Sequence, residues 1–413
     1  GAMAKTIVIC IDGTGDQIQV NATNVLRLAT VAVSWGDAQH VYYDPGVGTQ
    51  GKPTHSLLGE NEVLKLFDLG IGLGIYDKIG NAYALLMTAY QPGDRLMLFG
   101  FSRGAYIVRA LAGMVAKLGI LDPLRANLLP YAIKLYADPD NDELAESFAQ
   151  TFCHRDARIN FLGLWDTVKS VFAVELWPPE VSSVSLPFTL NNDKVDVVRH
   201  AVSIDEKRRF FRTNLWHALP GQDVAQVWFA GGHCDVGGSY PPDASGLSRI
   251  ALDWMLDEAV THGLLVDPAR RAALPGLPDP LAPLHSRKRG LVNLIPEIIP
   301  KWGRRPPDGH KALFLPLGEP RYIAPGAVIH SSVAARLRGG IGYAPVNLPA
   351  DHRVYGENLP PTRDTRYNRQ STDRRRAMAK GQMKSNKETK KPKAKKVKTI
   401  AANPSTKGLL KPS

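Results

Sequence analysis

Residues 96–114 read LMLFGFSRGAYIVRALAGM, an apolar strand pattern, a tight turn and an apolar helix pattern. Ser102 falls at the apex of the turn, within Gly100-Phe-Ser102-Arg-Gly104. This is G-x-S-x-G in the strand–turn–helix setting that lifts a serine hydroxyl out as a nucleophile. The glycines have a physical reason, because such a turn strains the serine backbone and leaves no room for side chains two residues away. The helix that begins at Arg103 aims backbone N–H groups toward the serine, where an oxyanion develops during acyl transfer. The competing reading is a polar residue in a structural turn.

A nucleophilic serine needs a base, and the base needs an acid to orient it. On a parallel sheet of this kind they come at later strand ends, in the order Ser, Asp, His. FLGLWDTV places Asp166 just after a strand pattern, and VWFAGGHCDVGGSY places His233 just after another, among glycines that allow a tight loop. A helix N-cap is the plain alternative for Asp166, and an ordinary turn histidine for His233. Asp205, in VSIDEKRR, is the second-choice acid, and His330, in AVIHSSV, the second-choice base. Asp235 is placed to shape the loop of His233. The first loop, IDGTGD, offers the N–H of Gly13 or Thr14 as an oxyanion donor beside that of Arg103, with Asp12 as a brace. A structural Asp-Gly turn would look the same.

Two apparent motifs fail on their chemistry. GVGTQGK ends in Pro53, where a phosphate loop requires Ser or Thr and then a helix. CIDGT has Cys10 where an aspartyl-phosphatase signature has its nucleophilic Asp. The histidines and the three cysteines show no metal-ligand spacing, so no metal and no cofactor is expected. Three cysteines are too few for a disulfide framework and fit a reducing compartment.

The elements that must position these residues alternate. KTIVICID, QHVYYD, RLMLFGF, INFLGLWD, RHAVSID and VAQVWFAGG read as strands, the last two as the final strands of the sheet. Helical spacing covers 22–35, 75–91, 103–119, a stretch to about 152, and 247–264. The order predicts an α/β fold with a mainly parallel sheet and helices on both faces. The Pro-interrupted segment 171–190 reads as a cap or a packed loop. LVNLIPEIIPKW has the apolar character of a membrane-touching segment, although a packed loop explains it equally.

The 413 residues carry a formal charge of +12 that is unevenly placed. From Arg363 onward there are 17 Lys and Arg against 3 Asp and Glu, so the preceding body is close to neutral. With few large apolar residues, the segment 362–413 reads as a disordered basic tail. It would be drawn to an anionic membrane surface or another polyanion. It lacks the interleaved aromatics of a nucleic-acid stacking platform, which argues against nucleic acid as the partner. The expected division is therefore a catalytic body at 1–361, with a core at about 5–265 and an irregular accessory region at about 266–361, followed by the tail. No apolar run is long enough for a transmembrane helix. The first residues show no secretory signal pattern and GAM reads as a cloning scar, so synthesis in the cytoplasm is expected.

In order along the chain, IDGTGD, YYDPGVGT, AYQPGDRLMLFGFSRGAYIVRALAGM, FLGLWDTV, RHAVSIDEKRRFF and VWFAGGHCDVGGSYPP resemble the motifs of an α/β-hydrolase-like family. That family was long labelled a domain of unknown function and includes the phospholipase effectors of type VI secretion. The resemblance runs from about Lys5 to Leu265. It implies a Ser-Asp-His triad at Ser102, Asp166 and His233, and cleavage of phospholipid acyl esters. It also implies delivery by a type VI apparatus to target-cell membranes, with secretion-apparatus and immunity proteins as partners. The chain lacks the large extra membrane-binding regions of many effectors and carries the basic tail instead. Two other readings remain open: an idle hydrolase-fold adaptor that docks through its tail, and a soluble esterase of small acyl esters.

Overall fold

The computed structural model describes residues 4–13, 21–34, 36–46, 60–138, 140–168, 172–176, 179–183, 186–208, 211–285, 301–304, 311–314 and 318–357. The basic tail, Thr14 and most of LVNLIPEIIPKW lie outside the described residues.

The first strand, β1 (Thr6–Ile11), is buried along its whole length, as its run of β-branched residues requires. Side chains alternate across a strand. Ile7, Ile9 and Ile11 enter one core, while Val8 and Cys10 enter the other. Helix α1 (Asn24–Val31) starts where the Thr23 hydroxyl accepts the Leu26 N–H. Next come β2 (Gln39–Asp44), α2 (Glu60–Ala89), β3 (Arg95–Phe101) and α3 (Arg103–Leu118). Helix α3 stops at Gly119, whose φ of 84° suits a residue without Cβ. Helices α4 (Leu129–Ala137) and α5 (Asp142–Phe152) lead to β4 (Ile159–Trp165). After β5 (Val197–Ser203) and β6 (Asp223–Phe229) come α6 (His233–Gly237), α7 (Gly246–Thr261) and α8 (Pro268–Ala272). The chain then adds β7 (Val328–Ile329), α9 (Ser331–Arg338) and β8 (Arg353–Val354).

These strands form one eight-stranded sheet in the order β2-β1-β3-β4-β5-β6-β7-β8. All its pairings are parallel. Helices α2, α3, α4 and α5 cover one face, and α1, α6 and α7 the other. The strand order reverses at β1, and the crevice beyond the strand ends at such a point is the usual ligand position in an open α/β sheet.

The structure departs from the sequence pattern in four places. Helix α1 is shorter than 22–35, because Ala32 leaves the helix to bridge Val266. Helix α2 begins fifteen residues before the expected Ile75, in a stretch whose glycines mask helical spacing. The sheet does not end at β6, since β7 and β8 extend it by two residues each. Within 171–190 the described backbone is an antiparallel hairpin of Phe172–Leu176 and Pro179–Ser183. The chain beyond this hairpin is tied to α3. The Leu186 N–H donates to the Tyr106 hydroxyl at 2.9 Å, and the Asn192 amide to the Ala112 carbonyl at 2.9 Å.

Candidate active site

Ser102 joins β3 to α3 with φ 58° and ψ −121°, a backbone state in which few non-glycine residues are found. Its N–H is held by the Trp165 carbonyl at 3.0 Å. The flanking glycines are sterically required. A Cβ on Gly100 would stand 2.6 Å from the Ala105 backbone, and one on Gly104 2.1 Å from the Ile11 carbonyl oxygen. Ser102 sits at the N-cap of α3, yet its hydroxyl makes no capping bond. Instead Oγ lies 2.8 Å from His233 Nε2.

His233 opens α6, directly after Gly231 and Gly232. Gly231 has φ 107°, and a Cβ there would strike the Asp235 side chain at 2.3 Å. Asp235 shapes this loop by accepting the Gly232 N–H at 2.9 Å while its other oxygen meets His285 Nδ1 at 2.6 Å. The imidazole of His233 packs between Phe101, centroids 4.6 Å apart, and the edge-on ring of Phe211 at 4.7 Å. Its Nδ1 is 2.6 Å from Asp166 Oδ2. An ionised carboxylate only accepts, so Nδ1 carries the proton and Nε2 is left to accept from Ser102.

Asp166 directly follows β4, with φ 40°, and is almost fully buried. Its N–H donates to the Ala201 carbonyl at 2.8 Å, and Oδ1 accepts the Ser203 N–H at 2.9 Å. The guanidinium of Arg321 grips both carboxylate oxygens, at 2.5 and 2.9 Å. Burial alone would raise the carboxyl's pKa, but the Arg321 charge and the His233 hydrogen bond outweigh it and hold it well below the usual range. Burial lowers the pKa of His233, against the opposing pull of Asp166. Glu206 accepts the His233 backbone N–H at 3.2 Å and is paired with Arg208 at 2.7 Å. Burial opposes its ionisation, yet the Arg208 hydrogen bonds and charge bring it down to about 2.

Ser102, Asp166 and His233 therefore meet in one hydrogen-bonded line. Gly13 lies against the elbow, where a Cβ would be 2.8 Å from Ser102 Cβ. Its N–H, however, is given to Asp12 Oδ1 at 2.8 Å, so it does not stand open as the expected oxyanion donor. Asp12 is a brace, as its place in the loop suggests, and also accepts the hydroxyls of Thr23 and of Tyr43, the latter at 2.9 Å. Arg103 is the first residue of α3 beside the nucleophile.

The second choices fall elsewhere. Asp205 accepts the Gly231 N–H at 2.7 Å and the Tyr343 hydroxyl at 2.8 Å, fixing the loop that carries His233 without touching its ring. His330 caps α9 by accepting the Ser332 N–H at 3.2 Å, and its ring stacks on Phe229 at 4.8 Å. Neither is hydrogen-bonded to Ser102 or to the ring of His233.

Four residues at the site were not singled out from the sequence: Ser203, Glu206, Phe211 and Arg321. The first three sit in or beside the RHAVSIDEKRRFF motif, which signalled them collectively. Nothing in the pattern around Arg321 did. Among the described residues, no group of three or more His, Cys, Asp or Glu side chains could hold a metal ion, and no helix is long and apolar enough to cross a membrane.

The family model described as "T6SS, Phospholipase effector Tle1-like, catalytic domain" matches residues 5–258. Over 233 residues the chain is 31% identical to "Uncharacterized protein YEL023C" of Saccharomyces cerevisiae, which covers 52% of this chain and 33% of that protein. It is also similar to two solved structures. One is an uncharacterized protein from Pseudomonas aeruginosa, with TM-score 0.38 and 20% identity, over 66% of this chain and 49% of that one. The other is the Tle1 effector bound to the VgrG spike of the type VI secretion system, with TM-score 0.35 and 19% identity, over 60% and 53%. The chain thus spans about a third of the yeast protein and about half of each solved chain.

Proposed function

Because this chain belongs to the family of Tle1-like phospholipase effector catalytic domains of type VI secretion, we propose that it is a serine esterase cleaving acyl esters of glycerophospholipids. The observation that carries this reading is the unbroken line from Ser102 Oγ through His233 to Asp166. His233 Nε2 takes the hydroxyl proton as Ser102 Oγ attacks the acyl carbonyl. Asp166 holds the imidazole in the required tautomer and stabilises its cation. The carbonyl oxygen, now an anion, is bound by the Arg103 N–H at the start of α3 and by the loop at Gly13 and Thr14. Gly13 would have to share its N–H with Asp12 to contribute. His233 then returns the proton to the leaving lysolipid oxygen. Water, deprotonated by His233, releases the fatty acid and restores Ser102.

Residues 1–361 are the proposed catalytic body, and the basic segment 362–413 is proposed to favour anionic lipid surfaces. Delivery by a VgrG-type spike to a target-cell membrane is the proposed setting.

The test is lipid-product analysis of phosphatidylethanolamine–phosphatidylglycerol vesicles, with Ser102→Ala beside the unaltered protein. The expected result is fatty acid and lysolipid from the unaltered protein, and a loss of about 10³-fold or more in the variant with its fold retained. Equal release by the variant would refute the reading.

A further inference from the structure

Arg321 lies outside the region matched by the family model, yet it reaches the centre of the site. It is only 1% exposed. Every N–H of its guanidinium has an acceptor. Nη1 donates to Asp166 Oδ1 at 2.5 Å and to the Ser203 carbonyl at 3.0 Å. Nη2 donates to Asp166 Oδ2 at 2.9 Å and to the Phe211 carbonyl, which also receives Nε at 3.1 Å. The fork thus ties the acid to two chain segments, and Phe211 itself packs on the imidazole. The Arg321 segment is latched in turn. Arg212 Nη2 donates to Glu319 Oε2 at 2.8 Å, and the Asn347 amide joins the carbonyls of Arg321 and Ile204 at 3.0 and 3.1 Å.

A carboxylate held only by neutral donors would turn its full charge on the imidazole. Here a cation shares it. Among the described residues, the other charged groups acting on His233 are Glu206 and Arg208, from the loop after β5, and they pair with each other at 2.7 Å. Removing Arg321 would leave Asp166 as an uncompensated charge beside the ring.

We propose that Arg321 is a positioning residue for the esterase reaction, fixing Asp166 in one orientation and weakening its pull on His233. The base thereby stays unprotonated, and Ser102 stays activated, to lower pH than the Asp–His pair alone would allow. This rests on the catalytic reading of Ser102, His233 and Asp166. The planar fork fixes the orientation and the charge weakens the pull, since a lysine ammonium supplies charge without the bidentate grip.

The test uses a fluorophosphonate probe, which labels an activated serine without knowledge of the substrate. Labelling rate is measured against pH for the full chain and for Arg321→Met, Arg321→Lys, Asp166→Asn and Asp166→Asn/Arg321→Met. The folded fraction of each variant is followed by circular dichroism at every pH and each rate is divided by it, so that acid unfolding cannot imitate a movement of the midpoint. For Arg321→Met the midpoint should rise by about one pH unit and the plateau rate fall about tenfold or more. Arg321→Lys should keep the midpoint near that of the unaltered protein and lose plateau rate only. In the Asp166→Asn background, adding Arg321→Met should cost less than about twofold, because the residue acts through the acid. An unmoved midpoint in Arg321→Met, or an undiminished loss in the double variant, overturns the inference. Failure of the unaltered protein to label, or labelling that persists in Ser102→Ala, overturns the esterase reading and this inference with it.

Discussion

Gly104 is where the nucleophile turn meets the first strand, and replacing it by alanine isolates that contact. Its φ is not positive, so alanine adds no backbone strain there. The cost is collision alone. The new Cβ would lie 2.1 Å from the Ile11 carbonyl oxygen and 2.6 Å from that of Asp12. Both obstacles are backbone, and neither can rotate aside. Relief requires the start of α3 to move about 1 Å away from β1 in a close-packed interior. Overpacking of a core typically costs about 1–3 kcal/mol, and two rigid obstacles place Gly104→Ala at the upper end, about 3 kcal/mol. The same movement carries Ser102 away from His233, and a 1 Å misplacement costs about 10²-fold in rate. Gly93→Ala is the matched control. Gly93 has φ 97° but nothing within 4 Å of its would-be Cβ, so it bears strain without collision. Urea denaturation and fluorophosphonate labelling should show a large loss of both stability and rate for Gly104→Ala. Gly93→Ala should lose about 1 kcal/mol with no change in rate. Stability within about 0.5 kcal/mol of the unaltered protein (roughly the scatter of neutral substitutions), together with an unchanged labelling rate in Gly104→Ala, would refute the steric reasoning.

Three further outcomes are expected. His330→Ala should label at a rate within about twofold of the unaltered protein while losing about 1 kcal/mol in denaturation, since His330 caps α9 and does not reach Ser102. Asp205→Ala should lower the labelling rate without abolishing it, because Gly231 loses the acceptor that fixes the His233 loop; a dead variant would restore Asp205 as a candidate acid. Acid should destabilise the fold in two windows. Burial, then the nearby Arg109 charge, pushes His200 down to about 3. The unfolded chain therefore binds the extra proton from about pH 6.5 down to 3, and stability falls as pH falls through that range. Glu206, ionised down to about 2 in the fold, adds a loss between about pH 4.5 and 2. The slope of the urea midpoint against pH should flatten in the upper window for His200→Gln and in the lower for Glu206→Gln.

Ser102, Asp166 and His233 were legible because each follows a strongly patterned strand. Buried parallel strands are continuous apolar runs, so the first polar residue after one is conspicuous. Asp166 comes after FLGLW, and His233 after VWFAGG. The elbow added glycines at two positions where a Cβ has no space. Other features gave no such contrast. The first half of α2 is glycine-rich, and β7 and β8 are too short to display a period. The competitor for the Gly13 N–H was a local detail the pattern did not show, since an aspartate preceding a glycine can accept that glycine's N–H.

Arg321 is the deepest case of illegibility. Pattern reading places arginine at the surface, and its neighbours give no correction: Pro320 precedes it and Tyr322 is 75% exposed. It belongs to no helix or strand of the structure and lies 155 residues from the carboxylate it grips. Only the partner implies it. Asp166 closes an apolar strand, so its carboxylate is buried by the same pattern that reveals it. A buried carboxylate stays ionised only with compensating charge and donors. One neutral imidazole supplies no such charge before the reaction begins. The sequence therefore carries the need for a cation at Asp166 but not its address, because long-range pairing leaves no periodic trace. For this sheet, the question that finds Arg321 starts from the acid and asks what neutralises it.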